Sequence, residues 1–251
     1  MYFVELAAPS SSKLVQFGTV ALLIVLFCVG DAAVAAASPD IIYINACPEG
    51  CTIAAGADDA INRKSSVIPH TYTFPAFAYS ADVLNSAAAC ARATLAPFNI
   101  HVVLNDPGVA RREVILSTDG QGIGVSAGVP EIVPFSGQPE PNTLAFVFGN
   151  AWQGDVDGIC WSMATVVGNL YGLDQVTNCP DIMSFSLCGE KSFTNVDATC
   201  DGSVWGTPGH CFSGNTTQNS FQILLNETGT PDFIFTNSFE AFEVPHAGPS
   251  P

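Results

Sequence analysis

Basic side chains are scarce in this chain of 251 residues: seven Lys and Arg stand against 23 Asp and Glu, a formal charge of -16. A surface this acidic repels phosphate backbones and anionic headgroups, which excludes nucleic acid and polybasic membrane attachment as roles. The charge serves solubility, with divalent-cation binding as the other reading. Charged residues of either sign make up only 12%, whereas 48% are hydrophobic, too apolar for long disordered stretches. No lysine follows the glycines of Gly206-Thr207-Pro208-Gly209, so a phosphate loop is excluded. Histidine is limited to His70, His101, His210 and His246, and no two stand at metal-ligand spacing. No C-x2-C pair exists, which argues against a zinc ribbon, and no internal repeat is present.

What is present begins with an apolar run from Thr19 to Val29, preceded by Lys13 and followed by Ala35-Ala36-Ala37. These are the parts of a secretory signal peptide, assigned to residues 1–37. The run is shorter than the about 20 residues of a membrane span; an uncleaved anchor is the alternative. The expected destination is secreted or cell-envelope, with no membrane attachment after cleavage. Removing Cys28 with that segment leaves an even set of eight: Cys47, Cys51, Cys90, Cys160, Cys179, Cys188, Cys200 and Cys211. In an exported chain these are disulfide candidates whose pairing the sequence leaves open.

Ile41–Ile44 suits an inner strand, and residues 46–80, with Pro, Gly and Ser, read as an irregular stapled connection. Val83, Ala87, Ala91 and Leu95 predict a helix from about Ser80 to Leu95, stopped by Pro97. Strands are expected over 99–104, 113–117 and 143–148, with a glycine-rich link at 120–128. Met163, Val166, Val167 and Leu170 predict a second helix from Ser162, as N-cap, to Tyr171, with Gly172 as its stop. Phe221–Leu225 and Phe233–Phe235 read as a hairpin or edge strands. The class is α+β with one mixed sheet, followed by an irregular Cys-rich part.

Residues 164–176 read A-T-V-V-G-N-L-Y-G-L-D-Q-V, and Asp181-Ile182-Met183-Ser184 follows. This stretch resembles the metzincin zinc peptidases, whose signature is H-E-x-x-H-x-x-G-x-x-H followed by a methionine turn. Ala96–Val102 looks like the helix-to-strand entry of such a domain. The resemblance implies a metzincin-like domain over 38–205 and a Cys/Gly/Asn-rich C-terminal extension over 206–251. Gly172, Asp174 and Met183 keep the motif's scaffold. Thr165, Asn169 and Gln175 stand where the three zinc-binding histidines belong, and Val166 stands where the glutamate general base belongs. Hydroxyl and amide groups bind zinc poorly, and valine moves no proton. No catalytic residue, metal or other cofactor is therefore expected.

The resemblance implies a secreted pseudoprotease whose cleft takes an extended peptide or protein segment, with its edge strand within about 143–149. One alternative is an active secreted zinc endopeptidase with atypical ligands. Another is a disulfide-stapled structural or surface protein. Gly154-Asp155-Val156-Asp157-Gly158 has D-x-D spacing but lacks a calcium loop's downstream glutamate, so a solvated turn is expected. Trp152, Trp161 and Trp205 read as core or cleft-lining aromatics. Asn215-Thr216-Thr217 and Asn226-Glu227-Thr228 are N-glycosylation sequons, meaningful in a host that glycosylates.

Overall fold

The computed structural model describes residues 38–202 and 208–231. The expected signal peptide, Trp205, the Phe233–Phe235 strand and His246 lie outside them. The described strands are β1 (Asp40–Asn45), β2 (Cys51–Ala55), β3 (Lys64–Ser65), β4 (Tyr72–Phe74), β5 (Ile100–Val103), β6 (Arg112–Ser117), β7 (Glu131–Ile132), β8 (Leu144–Phe148), β9 (Ala198–Thr199) and β10 (Thr217–Gln218). The described helices are α1 (Ala81–Leu95), α2 (Val156–Leu170) and α3 (Ser220–Thr228).

Five strands form one mixed sheet in the order β5-β1-β6-β8-β7. β1 runs parallel to β5 and β6, β6 parallel to β8, and β7 antiparallel to β8. Successive side chains of a strand point to opposite faces, and here both faces are covered. Ile42, Ile44, Val114, Leu116, Ala145 and Val147 pack with the buried faces of α1 and α2. Ile115, Leu144, Phe146 and Phe148 pack on the other side against Ile53, Ile68 and Phe74. Phe74 stacks on Phe146 at 4.9 Å between ring centroids. That second layer is built by the three-stranded sheet β3-β2-β4, in a segment expected to be irregular. Strands of two to five residues are too short to show a period in sequence.

α1 follows its apolar spacing: Ser80 caps it, its side chain accepting from Val83 N at 3.3 Å, and Ala87, Ala88, Ala91 and Leu95 are buried. Four further expectations need correction. The second helix begins at Val156 rather than after Ser162, because the Asp155 carboxylate accepts from Gly158 N at 2.8 Å and caps it. The D-x-D stretch is therefore a helix start, not a solvated turn. Phe221–Leu225 is helical, not strand: the Asn219 side chain accepts from Gln222 N at 2.9 Å and opens α3. Finally, the stretch around 143–149 is not an edge. β8 is buried throughout and lies between β6 and β7, so the two-residue β7 is the outer strand on that side. Among the described residues no helix is long and apolar enough to cross a membrane.

The eight cysteines of the described residues are all paired: Cys47–Cys51, Cys90–Cys160, Cys179–Cys188 and Cys200–Cys211. The Cys90–Cys160 bridge joins α1 to α2 across 70 residues of chain, whereas Cys47–Cys51 closes only four. Loop-closure entropy makes the long bridge the more stabilising one, by about 2.5 kcal/mol in the chain-entropy estimate. Replacing Cys90 and Cys160 together by Ala is expected to lower the urea midpoint far more than replacing Cys47 and Cys51. Equal losses from the two pairs would contradict that ranking.

Candidate functional site

The helix α2 is buried along most of its length, and its polar residues Ser162, Thr165 and Asn169 lie three and four apart, on one face. Its C-terminal end is fixed from below by a polar cluster. Arg112 donates to Asp40 at 2.9 Å and to the Tyr171 hydroxyl at 3.2 Å, and its guanidinium lies 4.0 Å from the Tyr171 ring centroid. The Tyr171 hydroxyl donates to the same Asp40 carboxylate at 2.7 Å. Burial pushes the Tyr171 phenol well above its ordinary pKa, so it remains a donor.

At Gly172 the backbone turns left-handed, with φ +81°. Gly172 N donates to Asn169 O at 2.8 Å and Leu173 N to Gly168 O at 3.0 Å, closing the helix end. Beyond this turn Asp174 is tied on every side. Its carboxylate accepts from Gln175 N at 2.7 Å and from Phe212 N at 2.6 Å. The Gln218 side chain bonds both its N–H and its carbonyl, at 2.7 and 2.9 Å. Asp174 thus anchors the segment around Phe212 and β10 to the end of α2.

Met183 lies directly against α2. A Cβ placed on Gly168 would meet the Met183 sulfur at 2.4 Å, and would also crowd Phe193 and Leu173. The Met183 turn is held by Asp181, whose carboxylate accepts from Met183 N at 2.9 Å and from the Thr194 hydroxyl at 2.5 Å. Met183 O in turn accepts from Val176 N at 3.1 Å. The missing side chain at Gly168 is what permits this close approach.

Thr165, Val166, Asn169 and Gln175 are all interior, at 6%, 0%, 2% and 2% exposure. The Thr165 hydroxyl donates to Ile182 O at 2.9 Å, and the Asn169 amide donates to Leu173 O at 2.8 Å. Both side chains therefore stitch the helix to the chain that follows it. The buried Gln175 Oε1 has no hydrogen-bond partner among the described atoms. One hydroxyl and two amides do not make a zinc site, the less so when two of them already donate to carbonyls. Among the described residues no group of three or more His, Cys, Asp or Glu is placed to hold a metal ion. His70 packs edge-on to Tyr72 at 6.4 Å, and His101 belongs to β5.

Two residues not singled out in the sequence, Glu131 and Lys191, stand beside Ser162 near the start of the same helical face. Half-buried Glu131, on β7, approaches Ser162 and Lys191. The Ser162 hydroxyl accepts from Trp152 Nε1 at 2.8 Å, and Lys191 Nζ sits 5.8 Å from the Trp161 ring centroid while donating to Ser184 O. Burial pushes the Glu131 carboxyl up to about 7, against the opposing pull of the Ser162 hydrogen bond and the Lys191 charge. Burial also lowers the Lys191 pKa. Isolated acidic and basic residues carry no spacing signal, so only the pairing of β7 with β8 brings them together. A separate cavity of about 170 Å³ lies beyond Gly172, lined by Gly137, Tyr171, Asp174, Phe212, Gln218 and Glu227 among others. It includes none of Thr165, Asn169 or Gln175.

Two measurements test this arrangement. Gly168→Ala forces a methyl group into Met183 and is expected to cost about 1–3 kcal/mol of stability in urea unfolding; an unchanged midpoint contradicts the contact. For Glu131, the folded carboxyl holds its proton more tightly than the unfolded one. Its contribution to stability is therefore full below the ordinary value of 4.5 and is lost as pH rises toward about 7. Glu131→Gln should flatten the fall in midpoint over that window, and a parallel pH profile in the variant would contradict the assignment. In comparisons with protein-family models, with curated proteins and with solved structures, nothing matches this chain.

Proposed function

We propose that this protein is a secreted, metallopeptidase-like pseudoenzyme of metzincin type, which binds extended peptide or protein segments without zinc chemistry. The observation that carries the reading is the seating of Met183 against Gly168 beneath α2, with Thr165 and Asn169 bonded to backbone carbonyls at the positions of metal ligands. Retaining the helix, the Gly172 turn and the methionine turn while replacing every metal-binding and proton-transferring side chain is what loss of catalysis on such a scaffold entails. The four disulfides favour an oxidising compartment, as a secreted protein requires.

The place for a peptide in this reading is the outer edge of β7. Pro130 O accepts from Phe148 N, and Ile132 lies opposite Phe146, so the hydrogen-bonding groups of Pro130 and Ile132 face β8. In an antiparallel pair the residue between them directs its N–H and C=O outward. Glu131 accordingly offers its backbone to an added strand. A second reading, a disulfide-stapled structural or surface protein, is favoured by the burial of Thr165, Asn169 and Gln175, which leaves no open floor at the motif.

Two measurements decide between these readings and the zinc endopeptidase. Elemental analysis of the oxidised protein, residues 38–251, is expected to give no bound zinc; about one tightly held zinc per chain overturns the pseudoenzyme. Titration with a pool of extended random-sequence peptides is expected to show binding that Glu131→Pro abolishes and Glu131→Gln retains. The proline removes an outward N–H, whereas glutamine leaves the backbone intact. No binding to the unaltered protein favours the structural reading.

A further inference from the structure

We propose that the chain carries N-linked glycans at Asn215 and Asn226, on the part of the fold that holds the cavity beyond Gly172. The inference rests on the secreted reading, since the modification takes place in a glycosylating secretory compartment. The sequence holds two N-x-Ser/Thr sequons, Asn215-Thr216-Thr217 and Asn226-Glu227-Thr228, 11 residues apart and both within the described segment 208–231.

A bulky polar sugar is tolerated only where its carrier amide faces water, and both positions meet that condition. Asn215 is exposed in the loop between Cys211 and β10. Its backbone is fixed, with Cys211 N donating to Asn215 O at 2.7 Å, while Gly214 N donates to Cys211 O at 2.9 Å and the Cys200–Cys211 bridge staples the loop. The turn thus projects the side chain without enlisting it in the core. Asn226 is exposed on α3, whose buried residues are Ser220 and Leu224. Its Oδ1 accepts from Gln222 Nε2 at 2.9 Å, an interaction that leaves Nδ2 available to a sugar.

Asn215 and Glu227, the residue following Asn226, both line the cavity of about 170 Å³. A glycan at Asn215 therefore stands on its rim, and Asn226 adjoins the lining residue Glu227 in the chain, while the helical face carrying Ser162, Thr165 and Asn169 has no sequon. In the modification, Asn Nδ2 forms a bond to the anomeric carbon of an oligosaccharide. That carbon's bond to a lipid-linked pyrophosphate breaks, the pyrophosphate leaves with the electron pair, and the amide loses one proton.

The test is expression of the full chain in cultured eukaryotic cells, with intact-mass analysis of the product before and after a glycan-releasing amidase, which converts each carrier Asn to Asp. The expected result is a loss of mass with Asp at positions 215 and 226, and one glycan remaining in either N215Q or N226Q. A secreted chain whose mass the amidase does not change overturns the glycans and leaves secretion standing. Conversion at one position alone overturns the assignment of the other. Unmodified chain retained in the cytosol with residues 1–37 attached overturns both the glycans and the secreted reading.

Discussion

The middle of the sheet is covered on both faces, and the position of every other element follows from that burial. Strands β6 and β8 are buried from end to end, so each needs apolar partners above and below. Helices α1 and α2 supply one cover, and the aromatic layer around Phe74 supplies the other. Because α2 lies over Val114, Leu116, Ala145 and Val147, its N-terminal half comes close to β7, and its C-terminal end reaches the Arg112–Asp40–Tyr171 cluster at the start of β1 and β6. The disulfide from Cys90 to Cys160 then joins the two covering helices to each other.

On that frame the chain after α2 is held by polar contacts rather than by further sheet. Gly172 reverses it, Asp174 fastens it to Phe212 and Gln218, and Asp181 folds it back so that Met183 meets Gly168. Thr165 and Asn169 complete the attachment through carbonyls of Ile182 and Leu173. These two buried polar side chains thus act as cross-links between a helix and its own downstream loop. Such neutral groups hydrogen-bond well, and satisfying them inside the fold avoids the cost of an unpaired buried donor.

Glu131, Ser162 and Lys191 show how a weakly paired outer strand places charge near a largely apolar helix. A carboxyl drawn partly out of water favours its neutral form, and the nearby ammonium only partly restores the ionised one. The overall acidity of the chain has a different consequence. It governs long-range repulsion, whereas the behaviour of Glu131 is set within a few ångströms by Ser162, Lys191 and the covering side chains.

The legibility of this chain varied with the range of the forces involved. Local spacing was enough for α1, with its Ser80 cap and Ala-rich face, for β1, β5, β6 and β8 as apolar runs, and for Gly172 as a stop. An even set of cysteines announced disulfides. Local spacing misplaced the start of α2, where Asp155 rather than Ser162 caps, and took α3 for strand because a short apolar run fits either period. It also could not rank strands within the sheet: whether 144–148 lies at an edge depends on Glu131 and Ile132, which are too few to form a pattern. The sequence by itself determined which segments are apolar, where helices break, and that Thr165, Val166, Asn169 and Gln175 carry neutral side chains, because these depend on side-chain type and near neighbours. Only the tertiary structure decided the cysteine pairing, the seating of Met183 on Gly168, the bonding of Thr165 and Asn169, and the meeting of Glu131 with Ser162 and Lys191, because each joins residues whose separation in space is fixed by packing.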